Sequence, residues 1–194
     1  MNRLSVRACA SALALAVVAL PGAAFAGTVK HVDPAKDAQK VVAHGSGTTI
    51  SDAPAQKSAD IVHFTAGYTN HRLAESTRLR ALATQWVYNS RIKTPTSHFD
   101  LTVIHQAGTT QASLTKGAGQ TLVTCDGLSR AVDRAKHVVA VKVPAACLGS
   151  PTWVQVGAGM VVLPKAGGTT YADDALRKAG VREKNLTLSK RLER

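Results

Sequence analysis

His98-Phe99-Asp100-Leu101-Thr102-Val103-Ile104-His105 alternates, with Phe99, Leu101, Val103 and His105 on one side and His98, Asp100 and Thr102 on the other. A period of two marks a half-buried strand, because successive side chains of an extended backbone point to opposite faces. His137-Val138-Val139-Ala140-Val141-Lys142-Val143 is a β-branched run halted by Pro144, a second strong strand. Residues 60–68 share that composition and stop at Thr69-Asn70-His71. Residues 111–115 and 120–124 flank Gly117-Ala118-Gly119 as a hairpin, and residues 152–156 and 160–163 read as two further strands. Residues 27–58 are rich in Gly, Ser, Thr, Ala, Asp and Lys and predict a lead-in with one or two short strands and a long loop. Seven or so short strands at regular turn signals predict an all-β fold, an antiparallel, jelly-roll-like β-sandwich.

Two stretches depart from that pattern. In residues 72–88, Leu79, Leu82, Ala83, Trp86 and Val87 fall at helical spacing in a Leu/Ala/Glu/Arg-rich setting, which taken alone predicts a helix. Near the C-terminus, Asp173 or Asp174 is placed to cap a short helix through Lys178 that Gly180 would stop. Residues 176–194 carry seven basic and two acidic side chains and read as a solvated basic tail.

The first 26 residues read as an address. Arg3 and Arg7 precede an apolar run over residues 8–20, too short to span ~30 Å of hydrocarbon. Pro21-Gly22 and Ala24-Phe25-Ala26 follow, the breaker and small-residue exit of a secretory signal peptide, with cleavage expected between Ala26 and Gly27. The organisation predicted is a signal peptide at 1–26, one sandwich domain at 27–175 and the basic tail at 176–194, the mature chain being secreted and extracellular. Of 24 Lys+Arg and 12 Asp+Glu, only Arg3 and Arg7 leave with the signal, so the mature chain is a basic protein of net charge +10 without a transmembrane segment.

Cys9 leaves as well, so Cys125 and Cys147 remain, 22 positions apart. An even cysteine count in an oxidising compartment predicts a disulfide, and closing a loop of that size removes roughly 3 kcal/mol of denatured-chain freedom. A reactive thiol or a thiolate metal site is the alternative, but neither residue has a CxxC neighbour.

Cys125-Asp126-Gly127-Leu128, followed by Val141-Lys142-Val143-Pro144-Ala145-Ala146-Cys147-Leu148-Gly149-Ser150-Pro151-Thr152-Trp153-Val154-Gln155-Val156-Gly157, resembles a pattern of uncharacterised secreted β-sandwich proteins of actinobacteria. Asp33-Pro34-Ala35-Lys36-Asp37 is similar to their opening Asp-x-x-x-Asp element, and Ala59-Asp60-Ile61 to their Ala-Asp-Ile strand start. The resemblance covers residues 31–175 and is most specific around Cys147. It implies a β-sandwich with the cysteines bridged, and a strand instead of a helix at 76–87, where tertiary context overrides propensity. It implies no activity.

The chemistry-bearing residues also have plainer roles. His44-Gly45-Ser46-Gly47 lacks the full GxSxG elbow and its strand–helix frame. His98 and Asp100 share a strand face, but two groups do not make a metal site, and His105 on the other face reads as a half-buried sheet residue. Asp33, Asp37 and Asp60 are placed to gather around calcium, although a loop Asp commonly serves as a turn former. Trp86, Trp153, Tyr68, Tyr88 and Tyr171 are the candidate sugar-stacking residues; 4% aromatic content is thin for that, and Trp153 reads as core. No nucleic-acid motif accompanies the charge. The function expected is therefore a non-enzymatic exported module for binding or cell-envelope association, drawn to anionic envelope polymers. The alternatives are a secreted hydrolase with a site assembled from distant residues, or a carbohydrate-binding module. No catalytic residue, metal, cofactor or nucleic-acid partner is assigned. Mass spectrometry of exported material should find a mature N-terminus at Gly27; an N-terminus that retains the apolar run would refute the leader.

Overall fold

The computed structural model describes residues 27–45, 47–164, 169–177, 181 and 185–194; the expected signal peptide with Ala26, Ser46, Lys178 and Gly180 lie outside them. Strands are numbered in chain order. A smaller sheet runs β1 (Gly27–Val32), β4 (Ile61–Tyr68), β5 (Arg72–Leu79), β11 (Val138–Pro144) and β10 (Ser129–Asp133). A larger one runs β3 (Gly47–Asp52), β2 (Gln39–His44), β13 (Thr170–Asp174), β12 (Trp153–Val162), β6 (Trp86–Lys93), β7 (His98–Gln106), β8 (Thr109–Lys116) and β9 (Thr121–Leu122). A last strand, β14 (Leu192–Glu193), pairs with β12 beside Trp153 and Val154. Neighbouring strands are antiparallel, and the inward side chains of both sheets form one core: an antiparallel, jelly-roll-like β-sandwich.

β7 keeps the alternation of its sequence. Phe99, Leu101, Val103 and His105 are buried, while His98, Asp100 and Thr102 are half-exposed. β11 buries Val139, Val141 and Val143 in the same manner. Cys125, after β9, and Cys147, in a 3-10 turn (Ala145–Leu148) after β11, form a disulfide with Cα atoms 5.4 Å apart. The bridge therefore ties the larger sheet to the smaller one.

Residues 72–88 are neither the helix that propensity favours nor a single strand. β5 ends at Leu79 in the smaller sheet, residues 80–85 cross over, and β6 starts at Trp86 in the larger. The inward positions of β5 read Leu73, Glu75, Thr77, Leu79, so two polar residues interrupt the apolar period. Glu75 is buried because β6 supplies its partners: the Tyr88 hydroxyl donates to Oε2 at 2.6 Å and the Ser90 hydroxyl to Oε1 at 2.8 Å. The lead-in holds three strands, not one or two, and residues 152–163 carry one ten-residue strand where two were expected.

The C-terminal region also differs from expectation. The short helix at 173–178 is not formed over its described part: residues 170–174 are strand β13, and Ala175 and Leu176 turn. Residues 185–194 are docked on β12 and are no solvated tail. Ser189 donates its amide to the Val156 carbonyl at 2.8 Å, its hydroxyl accepts from the Val156 amide at 3.1 Å, and Leu192 is fully buried. The approach is so close that a Cβ on Gly157 would lie 2.3 Å from the Thr187 carbonyl oxygen. Among the described residues, no helix is long and apolar enough to cross a membrane.

Two outcomes follow from this packing. Burial raises the Glu75 carboxyl from the ordinary 4.5 to about 7, although its two hydroxyl donors act in the opposite direction. The folded state therefore holds a proton that the unfolded state has released between those values. Stability from this group is complete below pH 4.5 and is lost as pH rises through 7, by about 3 kcal/mol in all. Glu75→Gln should flatten that part of the pH–stability curve and match or exceed the parent at pH 8; an unchanged slope counts against the assignment. Gly157→Ala should cost about 2–3 kcal/mol in denaturant melts and remove hydrogen-exchange protection at Ser189, since the backbone of residues 186–189 has to move away.

Candidate functional site

Among the described residues, His63, His98, His105 and His137 do not converge on one pocket. His63 faces outward from β4, His137 sits in the turn before β11, and His98 and His105 lie on opposite faces of β7. His105 is structural: its ring stacks on Trp86 with centroids 5.4 Å apart. Arg134 donates to its Nε2, so Nδ1 carries the proton and donates to the Thr110 hydroxyl at 2.7 Å. Burial, with Arg134 beside it, lowers the His105 pKa. His44 is exposed at the end of β2.

The aromatic platform does not assemble. Trp86, Tyr68 and Tyr88 are fully buried. Trp153 is half-exposed beneath the Arg191 guanidinium at 4.3 Å, which corrects its reading as core. Tyr171 lies opposite Val162, nine positions further along β12 than Trp153, or about 30 Å. A groove of about 300 Å³ on the larger sheet is lined in part by Asn89, Arg91, Asp100, Thr102, Gln120 and Asn185. Its Asp100 is held by the Arg91 guanidinium at 2.9 Å, and no histidine lines it.

Two arrangements of charge stand out. The first is the outer face of the smaller sheet. Register places Lys30, Thr65, Ser76 and Ala140 in one row across β1, β4, β5 and β11, and Thr28, Gly67, Ala74 and Lys142 in the next. Arg72, Arg78 and His63 share that face, and its one carboxylate, Asp133 on β10, is paired with Lys136 at 3.5 Å. Small side chains floor a shallow depression of about 340 Å³ with Lys30 and Lys142 among its walls, roughly 16 Å apart over three strand spacings and one row. Among the described residues, none of Lys30, Arg72, Arg78 and Lys142 forms an ion pair.

The second is acidic and buried. It lies where β1 ends, β4 begins and β13 ends. Asp60 is fully buried, and its Oδ2 accepts from the Lys36 amide at 2.8 Å and the Arg80 guanidinium at 2.6 Å. The first of these bonds folds the 33–37 turn inward, with Lys36 in the left-handed region at φ 78°. Oxygens of Asp33, Asp37 and Asp173 then fall within 4.8 Å of one another. Asp173 accepts from the Ile61 amide and the Asp174 amide, both at 2.8 Å, while Asp174 holds the docked C-terminal segment through the Thr187 amide at 2.8 Å. Asp33 is 3% exposed, and neither of its carboxylate oxygens has a hydrogen-bond partner.

Like charges out of water push protons back on. Burial first, then Asp173, Asp37, Asp174 and Asp60, raise the Asp33 carboxyl to about 9. Burial raises Asp173 to about 7 and shifts Asp37 upward. Of the three aspartates singled out by sequence, Asp33 and Asp37 are brought together, whereas Asp60 is turned to Arg80 and positions the turn. Sequence reasoning missed Asp173 because an Asp at a strand end and an Asp at a helix N-cap look alike. Also missed was His31, whose Nε2 stands 3.7 Å from Asp33 Oδ1. No protein-family model matches the chain, and none of the curated proteins or solved structures compared with it is a match.

Proposed function

We propose that the protein is an exported, non-enzymatic binding module that holds anionic cell-envelope polymers against the outer face of its smaller sheet. The observation that carries this reading is the field of Lys30, Arg72, Arg78 and Lys142 around a floor of Thr, Ser, Ala and Gly, with no unpaired carboxylate inside it. Small side chains let a flexible polymer lie close to the backbone, and cations on either side meet its phosphate or carboxylate groups. Attraction of this kind acts over ~8–10 Å at physiological salt and needs no shape-specific pocket. The disulfide fits an oxidising compartment.

The basic C-terminal residues are not a detachable handle in this reading. Truncation after Tyr171 would remove Asp173, Asp174 and β14, and would unfold one flank of β12 in addition to lowering charge. Surface substitutions are the cleaner test. Lys30→Glu, Arg78→Glu and Lys142→Glu together should weaken adsorption to a poly(glycerol phosphate) chain at least about tenfold at low salt. Binding by the parent should fade between about 50 and 300 mM NaCl. The control reverses Lys40, Lys93 and Lys116, away from this face. Equal loss in both triple variants, or salt-insensitive binding by the parent, would refute the assignment of this face.

A further inference from the structure

The structure assigns a divalent-cation site to Asp33, Asp37 and Asp173, and the ligand chemistry selects calcium. Two observations carry it independently. One is convergence: three carboxylate oxygens, each within 4.8 Å of the others, are spanned by a single ion with Ca–O distances of 2.3–2.6 Å. The other is the state of Asp33, 97% shielded from solvent, with one oxygen in this cluster and neither oxygen accepting a hydrogen bond. A buried carboxylate normally has donors, because its desolvation costs several kcal/mol otherwise. Here the nearest elements supply mostly acceptors, and Asp37 Oδ1 and Asp60 Oδ1 are orphaned alongside it.

Apart from His31, whose Nε2 has no hydrogen-bond partner, the donors nearby are already committed. Arg80 and the Lys36 amide serve Asp60, Arg177 and Thr187 serve Asp174, and the Ile61 amide serves Asp173. Each Asp173 oxygen still has a second lone pair. What remains at the centre is a set of hard, anionic oxygens, which suits calcium better than zinc or copper. His31 is the one nitrogen at hand, 3.7 Å from Asp33, and its presence makes the softer metals the natural competitors. The ligands come from the β1–β2 turn and from β13, so the ion would clamp the two sheets together at the end opposite the disulfide.

The test uses the full chain after removal of the leader, stripped with EDTA and dialysed at pH 7.5. Titration with calcium chloride should show one ion per chain by calorimetry, and 10 mM calcium should raise the melting temperature by about 5 °C or more. Magnesium at equal concentration should give a smaller rise. Asp33→Asn and Asp37→Asn should each abolish the calcium response, yet melt no lower than the parent in EDTA, since each replaces an acid of a crowded, desolvated cluster with a neutral amide. That opposite pair of effects separates a cation site from a purely structural role. An unchanged melting temperature with calcium, or a response that survives in both variants, overturns the site. Tighter binding of zinc, lost on His31→Ala, overturns calcium as its occupant.

Discussion

Asp33, Asp37 and Asp173 cannot be where they are because they attract one another. Carboxylates this close repel, and the more so where water is excluded. Their placement is imposed from outside the cluster by hydrogen bonds that belong to the fold: the Lys36 amide on Asp60, Arg80 on Asp60, and the Ile61 amide on Asp173. Those contacts join the end of β1, the start of β4 and the end of β13, and so join the two sheets. The cost of crowding negative charge is offset by the organisation of that whole end of the sandwich.

The opposite end is held by other means. Cys125–Cys147 spans the sheets covalently near the end of β11, and the Tyr68 hydroxyl donates to the Pro151 carbonyl at 2.7 Å. Between the two ends, Glu75 with Tyr88 and Ser90 forms a polar layer inside an otherwise apolar core. A buried carboxylate with two satisfied oxygens fixes the register of β5 against β6 more sharply than leucine would, because a slip leaves both sheets with orphaned groups. Glu75 is thus interior and bonded, while Lys30, Arg72, Arg78 and Lys142 lie on the outer face of the smaller sheet.

Where the sequence could be read, it was because one face of a strand was uniformly apolar. β7 and β11 are of this kind: Leu101, Val103, Val139 and Val141 recur every second residue and admit no helical reading. β5 was hidden because Glu75 and Thr77 occupy inward positions, and the partners of Glu75 on β6 lie beyond a crossover that local pattern does not reveal. Asp173 and Asp174 mimicked a helix start, since a capping side chain and a buried acceptor are chemically the same group. The basic composition of residues 176–194 masked Leu186 and Leu192, which are what dock the segment. Asp33 and Asp37 were visible as a spaced pair; Asp173 was not, being brought to them only by the pairing of β13 with β12.

The meeting of β1 with β14 governs when the molecule can be finished. Gly27 lies so close to Leu192 and Glu193 that a Cβ there would be 2.6 Å from the Glu193 backbone, so the first described strand rests on the last. A chain that emerges N-terminus first, from a ribosome or through a membrane pore, must wait for nearly its whole length before this contact forms. Until then one flank of β12 around Val154 and Val156 stays unpaired and open to other strands. The final ten residues are thereby the seam of the molecule, and the interval before they arrive is when it is most exposed to misassociation with its own copies.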